Sequence, residues 1–458
     1  MLEIPAKSCK FAVLNHVIRC DMKGGLMLKR KIYNELERWK EFDNKKALLL
    51  KGARQVGKTT IVRRFAKDNY KNFIEINFER TPSAKRAFAG NLDARTILLN
   101  LSVMGYGPFE DGNTLVFFDE IQSCPEARTA IKFLVEDTEL DFIESGSLLG
   151  INYKDVSSFP VGYEYQIDMY PMDFEEFLWA CGVGEDVIEV AREAYENVEE
   201  LPEFLHEEFM AYFRKYLIIG GMPEVVSTFV ENDDFGMVSR VQSSILTGYR
   251  NDISKYAGKD KALAKRVFDS IPTQLSKANK RFVLADIEKG ASYRKYGDAT
   301  AWLSDAGVAY FSYKTFALEI PFAFHEKHNI FKLFMHDIGL LSHLSLDGSQ
   351  FDVMSGELSI NEGGLTENYV AAELVKRGRS LNYYDKKSRQ ELDFVYAENN
   401  LITILEVKSG RSYKSHASLS SALSSSKNIG RAIVLSAFNV SRGEDGVIYY
   451  PLYMTMFM

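Results

Sequence analysis

A chain of 458 residues that is 46% hydrophobic and 26% charged can build more than one packed core, which excludes wholesale disorder. With only 11 prolines and 31 glycines, collagen-like and proline-rich classes are excluded as well. The net charge of −7 gives no global nucleic-acid signature, but it hides two blocks: 13 acidic residues against one basic between Asp173 and Glu208, and ten basic against four acidic between Lys259 and Lys295.

Residues 1–26 read as an N-terminal extension of weak pattern, and Met27 is a candidate initiator. From Leu28 the run LKRKIYNELERWK predicts an amphipathic helix with Ile32, Leu36 and Trp39 on one face. KKALLLKG, NFIEINF, TLVFFDE and LDFIESGS read as strands, with IVRRFAKDNY as a helix after the first. Strands alternating with helices predict a parallel α/β sheet, placed at 27–170. The acidic stretch after Pro171 is helical by period and forms a lid over 171–220. A mainly helical segment follows over 221–320. Beyond Pro321 the strands LNYYDKK, ELDFVYA, LITILEVKSG and RAIVLSA, with a helix at LTENYVAAELVKRG, predict a further α/β domain at 321–458.

GARQVGKT, from Gly52 to Thr59, has the spacing G-x-x-x-x-G-K-[ST] and lies between a strand and a helix. Gly52, Ala53, Arg54, Gln55, Val56 and Gly57 can wrap phosphates with backbone N–H groups, and the helix offers its N-terminus to negative charge. Lys58 is expected to reach the β- and γ-phosphates and Thr59 to place its hydroxyl on Mg²⁺, with Thr60 a further candidate for binding the nucleotide. TLVFFDE ends in two carboxylates: Asp119 is expected in the Mg²⁺ shell and Glu120 beside the attacking water. Ser145 and Ser147 end the next strand, within reach of a γ-phosphate. ATP and Mg²⁺ are therefore the expected substrate and ion.

GARQVGKTT, FFDEIQ, SGS, YPMDFEEFL and GGMPEVV resemble prokaryotic AAA-type P-loop ATPases that carry a C-terminal restriction-endonuclease-like domain, of the PD-(D/E)xK type. NDISKYAG, SIPTQLSKANKRF, LTENYVAAEL, ELDFV and LEVKSG follow in that family's order. The resemblance implies an ATPase core, a helical lid, a winged-helix-like segment and a nuclease-like terminal domain. It carries catalytic roles to Lys58, Thr59, Asp119 and Glu120, and a γ-phosphate sensor to Ser147. The chain departs from the family at Gly162-Tyr163, where many members have Gly-Arg. That leaves the source of a transition-state cation open, with Arg128 a weak replacement.

Asp393 lies in one strand, and Glu406 and Lys408 share a face in the next, so a hairpin brings the carboxylates together. With Glu367 they make a candidate second site for a divalent metal, with Lys408 beside it. An ion-paired strand surface is the competing reading. Over 259–295 a helix-rich segment before a strand pair predicts a winged-helix-like unit. There Lys277, Lys280, Arg281, Arg294 and Lys295, interleaved with Phe282, Tyr293 and Tyr296, are candidate contacts for DNA or RNA. A protein partner is the alternative.

Cys9, Cys20, Cys124 and Cys181 include no CxxC pair, so neither a disulfide framework nor a zinc site is indicated. No apolar run approaches the roughly 18 residues of a membrane span. A cytoplasmic location is expected, and an oligomer is compatible with an AAA-type site. The function expected is that of an Mg²⁺-dependent ATPase, a switch or remodeller coupled to a nuclease-like domain. The alternatives are a catalytically decayed nucleotide-binding scaffold and a metal-dependent DNA nuclease.

Overall fold

The computed structural model describes residues 27–42, 46–147, 160–346, 362–386, 390–408, 410, 412–426 and 428–458. The expected extension at 1–26, with Cys9 and Cys20, lies outside them. Helix α1 (Ile32–Lys40) buries Ile32, Leu36 and Trp39. It begins later than the pattern at Leu28 suggests, because the chain before it is used elsewhere. Arg30 donates to the Val56 and Tyr170 carbonyls at 3.0 and 2.7 Å, and the Lys31 N–H to Glu176 Oε1 at 2.6 Å.

Strands β1 (Ala47–Lys51), β2 (Asn72–Asn77), β3 (Thr114–Asp119), β4 (Asp141–Gly146) and β5 (Glu164–Asp168) form a parallel sheet in the order β2-β3-β4-β1-β5. This is the α/β arrangement typical of P-loop NTPases. Alternate residues explain its two layers. Leu48, Leu50, Leu115, Phe117 and Ile143 pack with Ile61, Val62 and Phe65 of α2 (Lys58–Asn69). Leu49, Val116, Phe118 and Phe142 face the other way, onto Ile97 and Leu101 of α3 (Ala94–Val103) and Ile131 and Leu134 of α4 (Pro125–Asp137). Each fully buried Leu or Phe contributes about 1.5–3 kcal/mol by leaving water. The apolar runs thus fix which strands are interior.

The expected lid contains α5 (Phe174–Ala180), α6 (Glu185–Asn197) and α7 (Glu203–Ile219). Asp173 caps α5 in a reciprocal box with Glu176. Burial alone would raise the Asp173 pKa, but Lys31, Arg377 and Lys376 outweigh it and hold the carboxyl down at about 2. Gly220-Gly221 then turns the chain into α8 (Pro223–Asn232), and α9 (Phe235–Tyr256), α10 (Lys261–Leu275) and α11 (Tyr293–Asp305) follow. A side chain at Gly221 would collide with the Met172 carbonyl at 2.0 Å, so this turn needs glycine.

The remaining elements are β6 (Ala309–Thr315), β7 (Glu326–Met335), α12 (Ile338–Leu346), α13 (Glu362–Lys376), β8 (Asn382–Asp385), β9 (Glu391–Glu398), β10 (Leu401–Val407), α14 (Ala417–Ser425), β11 (Ile429–Ser436), β12 (Ser441–Arg442) and β13 (Ile448–Pro451). The strands make one mixed sheet, β12-β13-β11-β10-β9-β8-β6-β7. The boundary expected at 320/321 falls in the connection between β6 and β7, which pair antiparallel from Ala309–Met335 to Thr315–Glu326. β6 also pairs in parallel with β8. Hydrogen bonding therefore joins the helical segment to the last domain through a shared sheet. Among the described residues no helix is long and apolar enough to cross a membrane.

Candidate nucleotide site

The carboxyl ends of β1, β3 and β4 converge, and open parallel sheets bind ligands at such ends. After β1 the loop turns at Gly52, where a Cβ would lie 2.1 Å from the Met169 carbonyl oxygen. Gln55 (φ 66°) and Gly57 (φ 99°) both adopt left-handed backbone, which curls the loop into the start of α2. Lys58 bends back over it and donates to the Gly52 and Ala53 carbonyls at 2.8 and 2.9 Å. Burial lowers its pKa to about 8, against the raising fields of Glu120 and Asp119. Phosphate oxygens would restore the charge. ATP binding is therefore expected to take up about half a proton at pH 8 and almost none near pH 6.5. Calorimetry in buffers of different ionisation enthalpy reads this, and uptake independent of pH would contradict it.

Asp119 is the hub of the β3 end. It accepts from Thr59 Oγ1 at 3.1 Å, from Asn77 Nδ2 at 2.8 Å and from the Ser145 hydroxyl. A hydroxyl and a carboxylate side by side are hard oxygen donors of the kind Mg²⁺ takes with phosphates, so Thr59 and Asp119 fit that ion. Glu120 leaves the strand in left-handed backbone (φ 54°), an uncommon conformation for a non-glycine residue. Burial raises its pKa. Glu120 Oε2 accepts from Gln122 Nε2 at 2.6 Å and from the Ser147 hydroxyl at 3.5 Å. This geometry can hold a water against one side of a phosphate.

The cleft over the loop, about 430 Å³, is lined by Lys58, Thr59, Thr60, Arg54 and Glu120 on the phosphate side. On the other side stand Leu28, Arg30, Met169 and Pro223. Sequence reasoning missed this second wall, together with Asn77 and Gln122. The one signal for Asn77 is a polar residue at the end of the strand NFIEIN.

Residues 44–178 match the family model for an AAA domain. The chain thus carries an AAA-type P-loop ATPase domain. Residues 210–350 and 362–454 match two further models, each described as a domain of unknown function, DUF8612 and DUF4143. No curated protein matches the sequence. Among solved structures, the Walker-type ATPase PABY2304 of Pyrococcus abyssi is 15% identical, with a TM-score of 0.42 over 69% of this chain and 96% of that one. The Aeropyrum pernix Orc1 protein in complex with DNA is 13% identical (TM-score 0.27, 72% and 94% covered). The Thermotoga maritima RuvB Holliday junction branch migration motor is also 13% identical (TM-score 0.28, 62% and 89% covered).

Outside the AAA domain, the structure brings Glu367, Asp393, Glu406 and Lys408 into one cluster. Phe394 and Leu405 are paired across β9 and β10, and Asp393 Oδ2 accepts from the Val407 N–H at 2.9 Å. Glu406 binds Lys408 at 3.1 Å, and burial with the Asp393 charge pushes its pKa up to about 8. The cluster does not fit a divalent metal, because a lysine is already there. Lys332 of β7, 1% exposed, lies 3.5 Å from Glu367, 3.0 Å from Glu391 and 3.8 Å from Asp393. Burial would lower its pKa, but Glu367, Asp393 and Glu391 overcome that and hold it raised. Among the described residues no group of three or more His, Cys, Asp or Glu side chains is arranged to hold a metal ion. An internal ammonium thus stands beside Glu367 and Asp393, two of the three residues expected to hold a metal, while Glu406 pairs with Lys408.

The basic stretch is also largely spoken for. Lys280 pairs with Glu367 at 2.6 Å, Lys277 with Asp286, and Lys295 with Glu288. Phe282 and Tyr296 are buried, so they pack rather than offer stacking faces, while Tyr293 is exposed. Local acids and the core explain why these residues present less free charge than their spacing suggested.

Proposed function

We propose that this chain is an Mg²⁺-dependent ATPase that works as a nucleotide-driven switch or remodeller, with the C-terminal domain as its effector. The reading rests on one observation: Lys58, Asp119, Glu120 and Ser147 come together at three adjacent strand ends around an open cleft. In it, backbone N–H groups of Gly52 to Thr60 cradle the phosphates and Lys58 moves from the loop carbonyls onto them. Thr59 and Asp119 would hold Mg²⁺, which neutralises phosphate charge when bound. Glu120 orients the attacking water, and Ser147, 3.5 Å from Glu120, senses the γ-phosphate.

The readout has a physical path. The Tyr249 hydroxyl of α9 lies 2.9 Å from the Arg54 carbonyl and 3.1 Å from Nε2 of His336, just beyond β7. Burial lowers the His336 pKa to about 3, so the ring is neutral and keeps this link unaltered by physiological pH. A shift in the phosphate loop therefore presses on the helix and the sheet together.

A decayed, nucleotide-binding scaffold is the second reading, favoured at the C-terminal centre by Lys332 among its carboxylates. A metal-dependent nuclease is disfavoured by the same residue. DNA or RNA remains a candidate ligand of the helical segment through Arg281 and Arg294. The test is phosphate release from ATP with Mg²⁺, with and without DNA, for wild type and Lys58→Ala. Release that depends on Lys58 supports the ATPase, and stimulation by DNA adds the nucleic-acid role. Nucleotide bound without release would select the scaffold.

A further inference from the structure

We propose that Arg54, the third residue of the phosphate loop, supplies the transition-state cation within the same chain. This deepens the ATPase reading and rests on it. Phosphoryl transfer spreads negative charge over the γ-phosphoryl oxygens, and a guanidinium placed there strengthens catalysis by orders of magnitude. AAA-type sites can also take such a group from a neighbouring copy. Here a cation already stands at the site.

Three observations place it. Arg54 shares the nucleotide cleft with Lys58, Thr59 and Glu120, and it also shares a second, smaller hollow with Ser147. Its side chain therefore borders both the nucleotide cleft beside Glu120 and the hollow beside Ser147. The side chain is 48% exposed and is held through Nη1 by Asp252 Oδ1 of α9 at 2.6 Å. A guanidinium has five donors, so a single carboxylate oxygen at one corner leaves the fork able to turn onto a phosphate.

The other arginines near the site are committed. Arg30 is buried against the Val56 and Tyr170 carbonyls and Glu176. Arg63 makes two bonds to Glu75, and Arg64 lies over Tyr33 and beside Asp68. Arg128, 2% exposed, is clamped by Glu144 at 2.6 Å and Glu164 at 2.8 Å. Arg54 alone in this group combines exposure to the cleft with a single anchor that can be exchanged. Asp252 is then a positioning residue, which parks the guanidinium until phosphate charge competes for it.

The step balances without a further reagent. The water oxygen forms a bond to the γ-phosphorus while the bond from that phosphorus to the β,γ-bridging oxygen breaks. Glu120 accepts the water proton, and ADP leaves with the bridging oxygen's electron pair. Arg54 stabilises the equatorial oxygens and the charge growing on the bridge.

The experiment compares wild type, Arg54→Ala, Arg54→Lys and Asp252→Asn by three readouts, with thermal melting as the folding control. The first is kcat and KM for ATP, the second equilibrium binding of a fluorescent ATP analogue, and the third trapping of ADP with fluoroaluminate. Arg54→Ala is expected to lose about 10²–10³-fold in kcat and all trapping, with affinity changed only a few-fold. Arg54→Lys should recover part of the trapping. Mixing Arg54→Ala with Lys58→Ala chains should restore nothing. Wild-type kcat and trapping in a folded Arg54→Ala chain would overturn the inference and leave the ATPase reading standing. Restoration on mixing would overturn it by placing the arginine in trans. A wild-type chain that neither hydrolyses ATP nor traps ADP would overturn both.

Discussion

Glu120→Gln is expected to lower ATP turnover by about 10²–10⁴-fold while ATP still binds, because the amide keeps the shape and loses only the proton acceptor. The local structure makes this substitution unusually clean. Glu120 occupies its left-handed conformation through the backbone, which glutamine preserves. Its carboxylate is half-buried and receives Gln122 Nε2 at 2.6 Å, and an amide oxygen can accept that bond. The proposed Mg²⁺ donors Thr59 and Asp119 are not touched, so affinity should move little. Single-turnover hydrolysis with an equilibrium binding assay measures both quantities. Equal turnover in the two proteins would remove Glu120 from the chemistry, and equal loss of binding would make it a structural residue.

Lys332→Met should destabilise the fold by about 3–5 kcal/mol at pH 7, the usual cost of removing one member of a buried ionic cluster. Glu367, Glu391 and Asp393 would then face each other without the ammonium that now lies within 3.0–3.8 Å of each. The penalty has a predictable sign with pH. Carboxylates that cannot ionise favourably take up protons, so the deficit should shrink as pH falls toward 5. Urea unfolding at several pH values reads it. Added Mn²⁺ supplies a second readout: the variant's melting temperature should rise with the ion as it replaces the missing charge, while the wild type's should not. A wild-type protein that is itself strengthened by Mn²⁺ would contradict the description of this centre as closed to metal.

These two sites show what a sequence carries. The phosphate loop is legible because its chemistry is local: Gly52, Gly57, Lys58 and Thr59 act within one turn of chain, and the spacing alone specifies the backbone. The pair Asp119-Glu120 is legible because an apolar strand ends there. Asn77, Gln122 and Asp252 are not, since an amide or a carboxylate gains its meaning from a partner that only the sheet or α9 supplies. The C-terminal centre is the sharper lesson. Its four expected residues do meet, but Lys332, 35 positions before Glu367, changes what the meeting can do. A lysine inside the apolar run IFKLFM was the available signal, because such a strand buries a charge only against fixed counter-charges. Lys280 looks like a phosphate contact in the sequence for the same reason in reverse: its acid, Glu367, is 87 residues away.

The β6–β7 hairpin bears on how the protein can be cut. Its two strands fall on opposite sides of residue 320, so a fragment ending there strips β6 of its β7 partner and bares a ladder of N–H and C=O groups. Such an edge invites pairing with another fragment. Expressing the two halves separately should therefore yield sticky, poorly soluble pieces. A fragment beginning upstream of Ala309 keeps β6, β7 and β8 together and preserves the lysine that faces Glu367. The same continuity limits the molecule's mechanics: the hydrogen-bonded sheet resists bending between β6 and β7, so the proposed nucleotide response would fall on the helices lying on it.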